Sequence, residues 1–169
     1  MRKSYNLKLQ KFFVKFYMAF LFFAKLLLQG TFAYSQPGLV INIAATTGRS
    51  YTSGQLIAGS TIYTDRTYQA TAVPAFLNNA PSIKTANDDK SNKSPSMLSF
   101  DLTQNATVYV AYDPRATALP AWLSGWQKLP NQVGVNDSKI SYMELYSKNY
   151  LAGKVTLGGN LARDRKSVV

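Results

Sequence analysis

Apolar side chains change their spacing once along this chain. Over residues 16–28 they are nearly continuous, with Lys25 the one charged interruption. From Gly38 onward they alternate with small polar residues, and in an extended chain that spacing sends successive side chains to opposite faces. The alternation and the β-branched content predict strands over residues 38–44 (GLVINIA), 60–64 (STIYT), 68–73, 81–86 (PSIKTA), 97–102 (MLSFDL), 107–112 (TVYVAY), 139–146 (KISYMELY) and 153–157. A further strand is expected to begin at Leu56. Pro74 and Pro114 close the elements before them, because proline cannot donate to a ladder. The stretches TTGRSYTSGQ and NDDKSNKSPS read as turn and loop.

Two of these strands are the clearest pair. In 107–112, Val108, Val110 and Tyr112 share one face, and Thr107, Tyr109 and Ala111 the other. The pattern allows either a hairpin with 97–102 through TQNA or a crossover between two sheets. Helical spacing occurs once, where Trp122 and Trp126 stand four apart behind Pro120; Gly125 and Pro130 limit it to one or two turns. The expected fold is therefore all-β: a two-sheet antiparallel β-sandwich, jelly-roll-like, over residues 34–160, with one short helical insertion near residues 120–127. The unpatterned 161–169 (LARDRKSVV) is expected to be a disordered tail.

The first 33 residues are a separate matter. Arg2, Lys3, Lys8, Lys11 and Lys15 precede the apolar run, and Thr31, Phe32 and Ala33 supply small residues on either side of a bulky one. That is the layout of a secretory signal peptide cleaved after Ala33. A retained anchor is the alternative, but the uncharged run from Met18 to Ala24 is far shorter than the roughly 20 apolar residues a bilayer needs. The expected location is secreted, extracellular, with no membrane association after cleavage. Of the 19 Lys and Arg, 6 precede position 34, which leaves 13 against 8 acidic residues, a net of +5 rather than +11. Three of those 13 are Arg163, Arg165 and Lys166, so no nucleic-acid partner is expected. The chain has no cysteine, so its core must hold without covalent links.

Absent residue types exclude much chemistry. With neither histidine nor cysteine, zinc sites of the usual kinds and Ser-His-Asp or Cys-His nucleophiles are ruled out. No glycine-rich phosphate loop is present. The few acids, Asp65, Asp88, Asp89, Asp101, Asp113, Asp137, Glu144 and Asp164, show no spacing that nominates a glycosidase pair. A lyase-like use of Tyr112, Lys90, Arg66 and Arg115 fits the inventory better, yet the expectation is that the chain is not an enzyme.

Two groups invite a binding role. Tyr63, Arg66, Tyr112, Arg115, Trp122 and Trp126 combine aromatic planes, which stack on the apolar faces of sugar rings, with guanidinium donors for hydroxyls and carboxylates. Their structural alternative is a tryptophan plug over the end of the core, with Asp65 and Asp113 pairing the arginines. Asn87, Asp88 and Asp89 bring together oxygens that suit calcium, although the same residues ordinarily make a turn and Lys90 opposes a cation. No other cofactor is expected.

The segments 60–66 (STIYTDR), 83–90 (IKTANDDK), 107–113 (TVYVAYD) with Arg115, 119–126 (LPAWLSGW), and 146–148 (YSK) with 153–160 together resemble an accessory β-sandwich module of large secreted bacterial polysaccharide-degrading enzymes. The resemblance spans about residues 56–160, and Pro114 before Arg115 departs from it. It implies a non-catalytic, carbohydrate-associated accessory or binding module. The partner would be a polysaccharide, in particular an acidic one, or a cell-surface glycan, beside a catalytic domain of a longer parent protein. The competing class is a structural or adhesion β-sandwich with no sugar site.

Overall fold

A computed structural model describes residues 38–160 and the backbone of Ser167–Val168. The signal-peptide expectation for residues 1–33 lies outside the described residues, as does most of 161–169. Among the described residues there are ten strands: β1 (Val40–Ala45), β2 (Thr52–Leu56), β3 (Ala70–Ala72), β4 (Ala80–Lys84), β5 (Leu98–Leu102), β6 (Ala106–Tyr112), β7 (Gln127–Asp137), β8 (Ile140–Tyr150), β9 (Gly153–Leu157) and β10 (Ser167–Val168). Two 3-10 turns, Ala75–Leu77 and Asn87–Ser91, lie between them.

The strands form a sheet β1-β5-β9, a sheet β10-β6-β8-β7-β3 and a ribbon β2-β4, and every named strand pair is antiparallel. The architecture is the expected all-β, sandwich-like one, with the ribbon as a third small sheet. β5 and β6 lie in different sheets, so the connection TQNA crosses between sheets and is not a hairpin turn. β6 instead pairs with β8, from Ala106 opposite Tyr150 to Tyr112 opposite Glu144.

Four local expectations change. Residues 52–55, read as turn material, are strand because β2 finds a partner of matching length in Ala80–Lys84, and Leu56, expected to begin a strand, ends this one. Residues 60–64, read as a strand, make only the isolated bridges Thr61 to Gln69 and Tyr63 to Thr85. Gln127–Asp137 is a long strand that polar residues, a glycine and a proline conceal; Pro130 sits where the register with β8 shifts between Lys128 and Gln132, a place that tolerates proline. The helical insertion near 120–127 is reduced to hydrogen-bonded turns, in which the N–H groups of Leu123 and Ser124 donate to the Pro120 carbonyl and that of Trp126 to the Leu123 carbonyl.

Alternation along β6 explains the core. Val108, Val110 and Tyr112 join Leu98, Phe100, Leu102, Tyr146, Val155 and Leu157 in one buried cluster. Tyr109 and Ala111, on the opposite face, pack against a second cluster containing Ile62, Leu77, Val133, Met143 and Leu145. The five-stranded sheet is therefore apolar on both faces. Each fully buried side chain of this size contributes roughly 1.5–3 kcal/mol, and in the absence of disulfides this burial is the main force holding the layers together. Among the described residues no helix is long and apolar enough to cross a membrane.

Candidate functional site

The structure divides the six aromatic and arginine residues between interior and surface. Tyr63 is buried in the second cluster, edge-on to Tyr68, and its hydroxyl is enclosed without a hydrogen-bond partner. Burial, reinforced by the nearby Asp113 and Asp137 carboxylates, pushes its pKa well above the ordinary phenol value. Tyr112 is buried in the first cluster and donates its hydroxyl to the Asn160 carbonyl at 3.0 Å. Arg115 forks onto the buried Asp113, with Nε to Oδ1 at 3.0 Å and Nη2 to Oδ2 at 2.6 Å. Pro114 between them does not prevent this bidentate pair. Asp113 also accepts the Arg115 backbone N–H, so the pair closes its own turn.

Arg66 belongs to a different assembly. Asp65 receives the backbone N–H groups of Asn87 at 2.8 Å and Asp88 at 3.0 Å, and so caps the 3-10 turn Asn87–Ser91 from a distant part of the chain. Partial burial alone would raise the Asp65 pKa; those two amide donors and the adjacent Arg66 outweigh it and hold the carboxyl below its usual range. Arg66 reaches the Asp88 carboxylate, and Arg49 lies 3.6 Å from Asp88 and 3.2 Å from Asp89. The hydroxyls of Thr47 and Tyr51 donate to Asp89 at 2.8 and 2.9 Å. Burial, and then the Asp89 carboxylate, raises the Tyr51 pKa and keeps that hydroxyl protonated. Of the oxygens singled out for calcium, those of Asp88 and Asp89 are thus engaged by arginines and hydroxyls, whereas the Asn87 side-chain oxygen is buried without a hydrogen-bond partner. Among the described residues no group of three or more His, Cys, Asp or Glu side chains is placed to hold a metal ion.

Among the described residues, the tryptophans form an aromatic row. Trp122 and Trp126 meet edge to face at 5.9 Å, and Trp126 continues to Tyr150, also at 5.9 Å. Trp126, 7% exposed, is the buried centre of the row, and its indole Nε1–H has no acceptor. Trp122 is half-buried and fixed by Nε1–H donating to the Gly159 carbonyl at 2.9 Å. Gly158 makes that seat possible: a Cβ there would lie 2.5 Å from Trp122 Cδ1. Tyr150 is half-buried, and the Lys148 ammonium lies 5.5 Å from the centre of its ring. Tyr146, Lys148 and Tyr150 share one face of β8. Across the ladder from Tyr146, Lys128 bonds Glu144 at 2.7 Å, and Glu144 accepts the Tyr146 hydroxyl at 3.1 Å. The partly exposed rings at the two ends of the row and the cation beside Tyr150 are suited to stacking on a sugar ring and reaching its polar substituents. Tyr150 and Lys148 were not among the predicted site residues. The signal lay in the continuation of the β8 alternation past Tyr146.

The fold and this row together define an antiparallel β-sandwich-like domain that carries a partly exposed aromatic row. Comparison with solved structures places the same fold inside much larger chains. A β-glucuronidase from glycoside hydrolase family 2 aligns with a TM-score of 0.64 and 19% identity, over 75% of this chain and 14% of its own. A GH138 enzyme targeting pectin rhamnogalacturonan II aligns with a TM-score of 0.56 and 13% identity, over 76% of this chain and 16% of its own. No family model and no curated protein matches the chain. At these identities the likeness is one of fold alone, and this chain spans only a small part of either enzyme's length.

Proposed function

We propose that this chain is a non-catalytic β-sandwich module that works beside polysaccharide-degrading chemistry in an extracellular setting and contacts glycan through Trp122, Tyr150 and Lys148. The observation that carries this reading is the row itself: two partly exposed rings fixed around a buried tryptophan, with an ammonium over one of them. The solved structures support the setting, since the fold occurs there as a small part of a carbohydrate-active enzyme. The non-catalytic reading is supported by the acids. Asp65, Asp88, Asp89, Asp113 and Glu144 are each held by amide, hydroxyl or cationic donors, and none is paired with another across a cleft.

The cationic partner of the row favours an acidic polysaccharide. The enclosure of Trp126 and the aspartate pairing of Arg66 and Arg115 favour the second reading, a structural sandwich without a sugar site. Affinity electrophoresis through gels containing pectin-type or neutral polysaccharide separates the two. The proposal expects retardation by the acidic polymer that is lost when Tyr150 and Lys148 are both changed to Ala. Unretarded migration in every gel, with folding verified, would establish the structural reading.

A further inference from the structure

A cavity of 180 Å³ opens between the β2-β4 ribbon, β5 and the strands β6, β7 and β8, and it shares no residue with the tryptophan row. Protein interiors ordinarily pack with few voids larger than a water molecule, so a space of this size needs an account. Its origin is visible in the sequence. Ala80, Ser82, Ala106 and Ala111, all small, are among the residues that line a space whose other walls include Phe100 and Leu145. No lining residue is charged, and the hydroxyls among the lining side chains are those of Ser82, Thr107 and Tyr109. Thr107 and Pro81 are exposed at the rim, and Phe76, 52% exposed, lies against Tyr109 with the ring planes tilted and their centres 5.6 Å apart. The chamber therefore has an apolar interior and an edge that reaches solvent.

We propose that this cavity binds a small apolar ligand, a single aromatic ring or a branched hydrocarbon group of similar bulk, with any polar substituent left at the rim near Ser82 and Thr107. Size sets the class: an apolar cavity of about 150 Å³ stays dry and accommodates benzene. Chemistry sets the rest. A lining without charge or convergent donors cannot recompense a sugar or an ion for lost water, whereas it costs an aromatic ring nothing in unmade hydrogen bonds. The exposed Phe76 against Tyr109 extends the apolar surface outward from the opening. The glycan surface and this chamber would then be separate sites of one module.

The test uses the full chain with benzene and indole as probes. Thermal melts should show a saturable rise in Tm with either, and the Met143 methyl signal should shift in parallel, since this buried side chain lines the chamber. Ala111→Leu, which places a larger group in the space, should abolish both responses while melting at or above the temperature of the unliganded wild type. Ala80→Val serves as a second filling variant should Ala111→Leu fail to fold. A wild type that shows no saturable response to either probe overturns the proposal, and so does a folded filling variant that responds as the wild type does. Concentration-dependent dimerisation lost in the filling variants would assign the space to a second copy of the chain and overturn it as well.

Discussion

Replacing Trp126 by Phe and by Ala separates two contributions that the structure places in one side chain. The indole is 7% exposed, meets Trp122 edge to face and packs at a tilt against Tyr150, so removing it leaves a large void. Truncation of such a side chain typically costs about 3–5 kcal/mol, and Trp126→Ala is expected in that range. Phenylalanine keeps a ring in the row and retains most of the contact. It also removes the buried Nε1–H that lacks an acceptor, a group whose burial costs about 1–3 kcal/mol. The smaller ring volume and the relieved donor act in opposite directions, and Trp126→Phe should fall within about 1 kcal/mol of wild type. Urea unfolding followed by far-ultraviolet circular dichroism measures both, with unchanged slopes showing that only stability has moved. A Phe variant as unstable as the Ala variant would refute the reading of the indole N–H as an unmet donor. An Ala variant within about 0.5 kcal/mol of wild type would remove Trp126 from the core altogether.

Three further outcomes follow from the same structure. The folded-state pKa of Asp65 is depressed, so its contribution to stability is present above the ordinary carboxylate range and is lost as pH falls through the folded value. Acid melting of the wild type should therefore steepen below about pH 4, and Asp65→Asn should be less stable at neutral pH with a shallower acid dependence, measured by Tm against pH. A Cβ at Gly159 would sit 2.2 Å from the Asn92 carbonyl oxygen, so Gly159→Ala should lower stability by about 1–3 kcal/mol in a denaturant titration. Because Asp88 and Asp89 already bind Arg49 and Arg66, EDTA should leave Tm unchanged; a fall restored by calcium would show that the turn holds a cation.

How much of this was legible beforehand depended on where packing obeys alternation. β5, β6 and β9 carry apolar residues at every second position and face the core as that spacing demands. β7 defeats the rule. Only Val133, Val135 and Asp137 are buried along it, and Pro130 at a register shift reads as a stop in sequence although the ladder resumes beyond it. β2 has almost no apolar character and owes its conformation to β4, a partner that local sequence does not reveal. The candidate site shows the same division. That Trp122 and Trp126 lie together follows from their spacing of four. That Arg66 is held by Asp88, twenty-two positions away, depends on tertiary folding, and the donors around Asp89 come from Thr47, Arg49 and Tyr51 across an even longer separation. Arginine and aspartate in polar segments look equally available in sequence; the structure shows these committed to one another.

The chain contains two tryptophans, so Trp126→Phe leaves Trp122, half-buried at the proposed glycan surface, as the single indole reporter. Titrating that variant with pectin-type oligosaccharides while following its fluorescence tests the central claim where contact is expected. The account predicts a saturable change in emission that disappears when Tyr150 and Lys148 are also changed to Ala. Emission that stays constant to millimolar oligosaccharide, acidic or neutral, in a protein shown to be folded, would contradict it.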